Sequence, residues 1–349
     1  PFAPVRQNRR FIGGRECGGF VRPSLATGVA TGAIALPSLA RLRSLPLPNL
    51  RLARQTLLRL VAALAAIVGA VQLVRLLLLP AIQSVFHPGD AMTSVLRRTG
   101  IFLFAILAYW AYVRLFEKRR ASELRIAPLP IALGALSGSL LIAIALLLMF
   151  AFGAYDLGAY RGLQSGLLGV AGLIVIAAVL EEVIYRCILF RILEGAIGTL
   201  WALGLQSLVF ALMHIANIED RASTQEIVTT VVAGTLVGAF WTLVFVHTRN
   251  LWAVAANHAA WNYTIILAGV PLSGIEGWRS LAPLATTCRD PACGPTWLTG
   301  GVFGPEDSLV TTAMVAASVL AMLYWAGRRH RLLAAGAALP INPTGAPHA

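Results

Sequence analysis

From residue 60 onward the chain repeats one pattern, a run of about twenty apolar residues closed by a short polar or basic stretch. Eight such runs fall near 60–79, 100–116, 131–153, 166–186, 199–216, 227–246, 251–269 and 309–327. Each is about as long as a helix must be to cross ~30 Å of hydrocarbon. Within lipid a backbone must satisfy its own hydrogen bonds, so helices are the expected element for every run. The pattern therefore predicts an all-α, polytopic transmembrane helical bundle of about eight spans. Residues 1–55 break it. They are rich in Arg, Pro and Gly, hold no run long enough to span, and read as a poorly ordered cytoplasmic arm rather than a cleavable signal peptide. The membrane-embedded domain is then 56–327, and 328–349 is a cytoplasmic tail.

Composition narrows the class. Of 349 residues 58% are hydrophobic and 12% charged, with a mean hydropathy of +0.75. Soluble chains carry about 25% charged residues, so a soluble enzyme, a disordered chain and a coiled coil are all excluded. The net charge of +13 would suit a nucleic-acid partner, but here the basic residues sit at the ends of apolar segments. Nineteen Lys or Arg fall on the side holding both termini and six, Arg97, Arg98, Arg161, Arg221, Arg279 and Arg289, on the other. That asymmetry predicts cytoplasmic termini and no nucleic-acid partner. Lys118 is the single lysine among 28 basic residues, a bias that points to a GC-rich bacterial genome and hence to a bacterial inner membrane. Four cysteines are too few to build a disulfide scaffold. Cys288 and Cys293 lie in the long loop expected outside, where a disulfide between them suits an oxidising periplasm.

Ionisable residues inside spans cost roughly 2.5–3.5 kcal/mol each at the helix centre, so they mark function or a partner. Three sets stand out: Glu181, Glu182 and Arg186; Phe210 and His214; His258 and Asn262. Glu182 and Arg186 are four apart and can pair on one face. Glu181 is turned about 100° from Glu182 and is free to point elsewhere. If the helix continues to a turn near Ile197–Gly198, Glu181 and His214 lie at nearly equal distances on either side of it. Equal distance along antiparallel helices means equal depth, so the acid and the imidazole meet. A carboxylate and a neutral histidine sharing one water can deprotonate it for attack on a carbonyl. A second histidine and an amide can donate to the developing oxyanion. The plainer readings are a structural salt bridge for Glu182–Arg186, packing for Phe210, an interhelical hydrogen bond for His258–Asn262, and an interfacial place for His247.

Taken together, Glu181-Glu182-x-x-x-Arg186, Phe210-x-x-x-His214 and His258-x-x-x-Asn262 resemble the three motifs of the CPBP family of intramembrane proteases. That family includes the CAAX prenyl endopeptidases of the Rce1 type, the bacterial Abi proteins and bacteriocin-processing relatives. The resemblance covers about residues 130–270. It implies an intramembrane endopeptidase acting on a membrane-associated protein or peptide in the lipid bilayer. Glu181 and His214 would activate water, His258 and Asn262 would form the oxyanion site, and Glu182, Arg186 and Phe210 would support them. The family has been described both as metalloprotease and as glutamate protease. Zinc held by Glu181, His214 and His258 is therefore the alternative, but two histidines 44 residues apart on different helices favour chemistry without a metal. The rival functions are a transporter or channel using the same polar residues, and a peptide-binding immunity protein that does not cut. The substrate is not encoded in any motif.

Overall fold

The computed structural model describes residues 49–288 and 295–336, and within them the apolar runs are helices. We number them α1 (Leu50–Phe86), α2 (Asp90–Phe116), α3 (Pro128–Ala151), α4 (Gly166–Ile197), α5 (Thr199–His214), α6 (Thr224–Thr248), α7 (Leu251–Ala268) and α8 (Leu309–Arg328). The first begins ten residues upstream of the expected span. Asn49 caps it by accepting from the Leu52 amide, so the boundary drawn at 55 falls inside a helix. Residues 1–48 and 337–349, and with them most of the arm and tail, lie outside the described residues, as does Cys293. The Cys288–Cys293 disulfide therefore falls outside the described residues.

Seven of the eight helices are long and apolar enough to cross a membrane. The exception is α7, an 18-residue helix expected as a span near 251–269. It carries Asn257, His258 and Asn262 because it is wrapped by other helices instead of facing lipid, and most of its residues are buried. The expected eight spans are thus seven apolar helices and one polar helix inside them.

Small residues let the inner helices approach closely. Gly134 and Gly138 of α3 lie against the carbonyls of Ala253 and Asn257 of α7, where an added Cβ would come within 2.2 Å of either oxygen. Gly234 and Gly238 of α6 pack in the same way on Ala211, Ser207 and Phe210 of α5. Small-x-x-x-small faces of this kind are how membrane helices gain close contact without a hydrophobic drive between them. Asn257 ties the layers together. Its side-chain oxygen accepts from Trp241 Nε1 at 3.0 Å, and its amide donates to Ser137 Oγ at 3.0 Å. Gly138→Ala is expected to destabilise the protein by about 1–3 kcal/mol, despite alanine's better helix propensity, because the clash is with backbone. Thermal unfolding in detergent checks this, and an unchanged midpoint would refute it.

The two ends of the bundle differ. At the basic end, Arg119 and Arg191 form ion pairs with Glu117, and Arg119 also pairs with Glu123, fastening the 117–127 connection to α4. At the other end the described parts of the loop 270–308, residues 270–288 and 295–308, fold back over the helices. The loop's strand Leu284–Cys288 pairs antiparallel with Tyr155–Tyr160, giving the described residues their one small sheet.

Candidate active site

Gly198, at φ +82°, turns the chain from α4 into α5, a backbone that only glycine adopts readily. The hairpin brings Glu181 and His214 face to face, with Oε2 and Nε2 4.0 Å apart. His214 Nδ1 lies 2.8 Å from the Phe210 carbonyl. A carbonyl can only accept, so Nδ1 carries the proton and Nε2 presents a lone pair to Glu181. Glu181 Oε2 is buried without a hydrogen-bond partner, although its side chain as a whole is 35% exposed. Two acceptors therefore face each other. One water donating to both at ordinary hydrogen-bond length would hold them roughly 4.4 Å apart, close to the observed spacing.

Behind this pair lies a second, fully buried set. Glu182 Oε1 accepts from Arg186 Nη1 at 3.0 Å and from His258 Nδ1 at 2.8 Å. Arg186 also donates from Nη2 to the Gly238 carbonyl at 3.1 Å and lies 5.0 Å over the Phe210 ring. His258 stacks on Trp241, with centroids 3.7 Å apart. Phe210 touches both sets, since its ring is 4.3 Å from that of His214. Glu182 is thus more than a counter-ion for Arg186. It is the carboxylate that orients His258, a contact across 76 residues that no spacing in the sequence announces. Asn262, one turn beyond His258, has a buried side-chain oxygen with no partner.

Glu181, His214, His258 and Asn262 all open onto one cavity of about 340 Å³, near the lower end of the range for small-molecule sites. The loop 270–308, outside the motifs, supplies its roof through Leu272, Ser273, Phe303, Glu306 and Asp307. The sequence reading missed the two acids here; the only signal is their place directly before an apolar run. Glu306 accepts from Trp261 Nε1 at 3.3 Å and from the Ser273 amide and hydroxyl at 2.8 and 2.6 Å. Burial pushes its carboxyl up, against the lowering effect of those Ser273 bonds and of the two histidines. Asp307 is hydrogen-bonded to Thr230, and burial likewise pushes it well up.

His247 lies away from this cavity, half-buried, with Nε2 3.1 Å from the Met322 carbonyl. Glu181, His214 and His258, the alternative zinc set, line the same cavity, with Nδ1 of His214 on the Phe210 carbonyl and Nδ1 of His258 on Glu182. Among the described residues no three His, Cys, Asp or Glu side chains lie close enough together to form a metal-ligand group.

Residues 163–264 match the family model described as type II CAAX prenyl endopeptidase, Rce1-like. The match runs from the start of α4 through most of α7 and contains every residue of the three motifs, so it supports the resemblance drawn from them. The first three helices, the roofing loop and α8 lie outside it. No curated protein and no solved structure matches the chain.

Proposed function

We propose that the chain is an intramembrane endopeptidase that hydrolyses a peptide bond of a membrane-associated protein or peptide with water activated by Glu181 and His214. The observation that supports this best is the facing pair of acceptors, 4.0 Å apart, at a cavity floor with an unpaired carboxylate oxygen. Water bound there donates one hydrogen to Glu181 Oε2 and one to His214 Nε2. As its oxygen attacks the scissile carbonyl carbon, the proton passes to Glu181. The carbonyl electrons move to the oxygen, and the tetrahedral intermediate collapses by breaking the C–N bond. Glu181 then returns the proton to the leaving amine. The oxyanion is met by the Asn262 amide and by His258 Nε2. With Nδ1 donating to Glu182, His258 can donate from Nε2 only as imidazolium, and Glu182 then stands between two cations, Arg186 and His258. A defined peptide mixture added to the reconstituted chain tests the reading: new peptide termini support hydrolysis, and ion flux without new termini would replace it with transport.

In this reading no metal takes part. Activity is expected to survive exhaustive chelation, with elemental analysis of protein purified without a His-tag as the control. One zinc per chain, with activity lost on stripping and restored by zinc, would overturn it. We also place the chain in a bacterial inner membrane with both termini in the cytoplasm. Because the cavity lies at the end of the bundle away from Gly198 and the basic connections, it then opens outward. A reporter fused after Arg331 should read cytoplasmic and one in the 275–305 loop external; the reverse pattern would invert the site.

A further inference from the structure

Arg98 is an unexpected member of the cavity wall. It belongs to α2, outside the stretch that matches the protease family, and it shares the cavity with Leu173, Ile174, Ala177 and Glu181 of α4. It lies eight residues in from Asp90, about 12 Å along the helix, just before the apolar run 100–116 and so at the outer edge of the span. Its neighbour Arg97 is exposed, whereas Arg98 is half-buried. Guanidinium stays charged under all ordinary conditions, and such a charge persists in a span when it faces a partner or a wet cavity. Among the described residues Arg98 has no hydrogen bond or ion pair. Of the acids in the same cavity, both oxygens of Glu306 are held by Trp261 and Ser273 and one of Asp307 by Thr230, while Glu181 Oε2 and Asp307 Oδ1 make no hydrogen bond. Glu181 faces His214.

We propose that Arg98 is a specificity residue that binds a carboxylate of the substrate, supplied either by a peptide C-terminus or by an acidic side chain. A planar guanidinium matches a carboxylate through two parallel hydrogen bonds. In a partly dehydrated cavity that pairing discriminates strongly against a neutral group. The inference rests on the peptidase reading for its substrate class, but it concerns binding and can be read without turnover.

The test uses the full chain in nanodiscs as the Glu181→Gln variant, so that peptide stays intact. Three matched fluorescent peptides serve as probes: one with a free C-terminus and no Asp or Glu, one amidated with no Asp or Glu, and one amidated with a single Glu. Either carboxylate peptide should bind about tenfold more tightly than the neutral one, and which of the two does so identifies the source. Arg98→Gln should remove the difference and Arg98→Lys keep part of it. Equal binding of the three peptides, no binding, or a preference that survives Arg98→Gln would overturn the proposal. So would an Arg98→Gln effect confined to retention of anionic lipid, which would make the residue a headgroup ligand. Cleavage by the wild-type chain, followed in parallel, separates the two ideas. Cleavage without carboxylate preference sinks Arg98 alone, and preference without cleavage sinks the peptidase reading alone.

Discussion

Glu181→Gln is expected to lower kcat/KM for peptide hydrolysis by about a thousandfold or more while leaving the fold in place. The magnitude is that of losing a general base that also acts later as the acid. The glutamine amide cannot take the water's proton. It also replaces one of two facing acceptors with a group that donates to His214 Nε2, so the water loses its seat as well. The fold should survive because Glu181 makes no hydrogen bond through Oε2 and is partly exposed, with the change isosteric. Initial rates on a fluorogenic peptide, beside thermal unfolding of both proteins, give the comparison. Turnover within a few fold of wild type by a well-folded variant would remove Glu181 from the chemistry.

Arg186→Ala is expected to do the opposite, damaging the protein before its chemistry. Arg186 and Glu182 are both fully buried. Removing the guanidinium leaves Glu182 with His258 alone, leaves the Gly238 carbonyl with the Thr242 hydroxyl but without Arg186 and opens the space over Phe210. Breaking a buried pair from one side costs roughly 3–5 kcal/mol, a large share of any membrane domain's stability. Arg186→Lys should fall between, since one ammonium cannot reproduce the fork that serves both a carboxylate and a carbonyl. Expression yield and unfolding midpoint read the effect directly. Normal values for Arg186→Ala would show the pair to be dispensable to the fold.

The sequence carried the parts of this arrangement that depend on local repetition. Apolar runs of membrane length became helices. Counting residues from the turn placed Glu181 level with His214, because helical rise is constant and Gly198 does close the hairpin. Spacing of four placed Arg186 beside Glu182. What stayed hidden depends on contacts between distant segments. Glu182 meets His258 because α4 and α7 cross in the interior, and nothing in either segment reports that crossing. Glu306, Asp307 and Phe303 reach the cavity only because a loop folds back over the bundle, and loop paths leave no periodic trace. The polar helix α7 read as an ordinary span because an apolar run does not say whether lipid or protein surrounds it.

The most direct test of the central claim is single-turnover cleavage of a defined peptide by the reconstituted chain in H₂¹⁸O, with mass analysis of both products. Attack by a water held between Glu181 and His214 predicts one ¹⁸O atom in the new C-terminal carboxylate, formed at the rate of chain cleavage, and none at that rate with Glu181→Gln. Cleavage by wild type that leaves the new carboxylate unlabelled, or labelled product from Glu181→Gln at the wild-type rate, would contradict it.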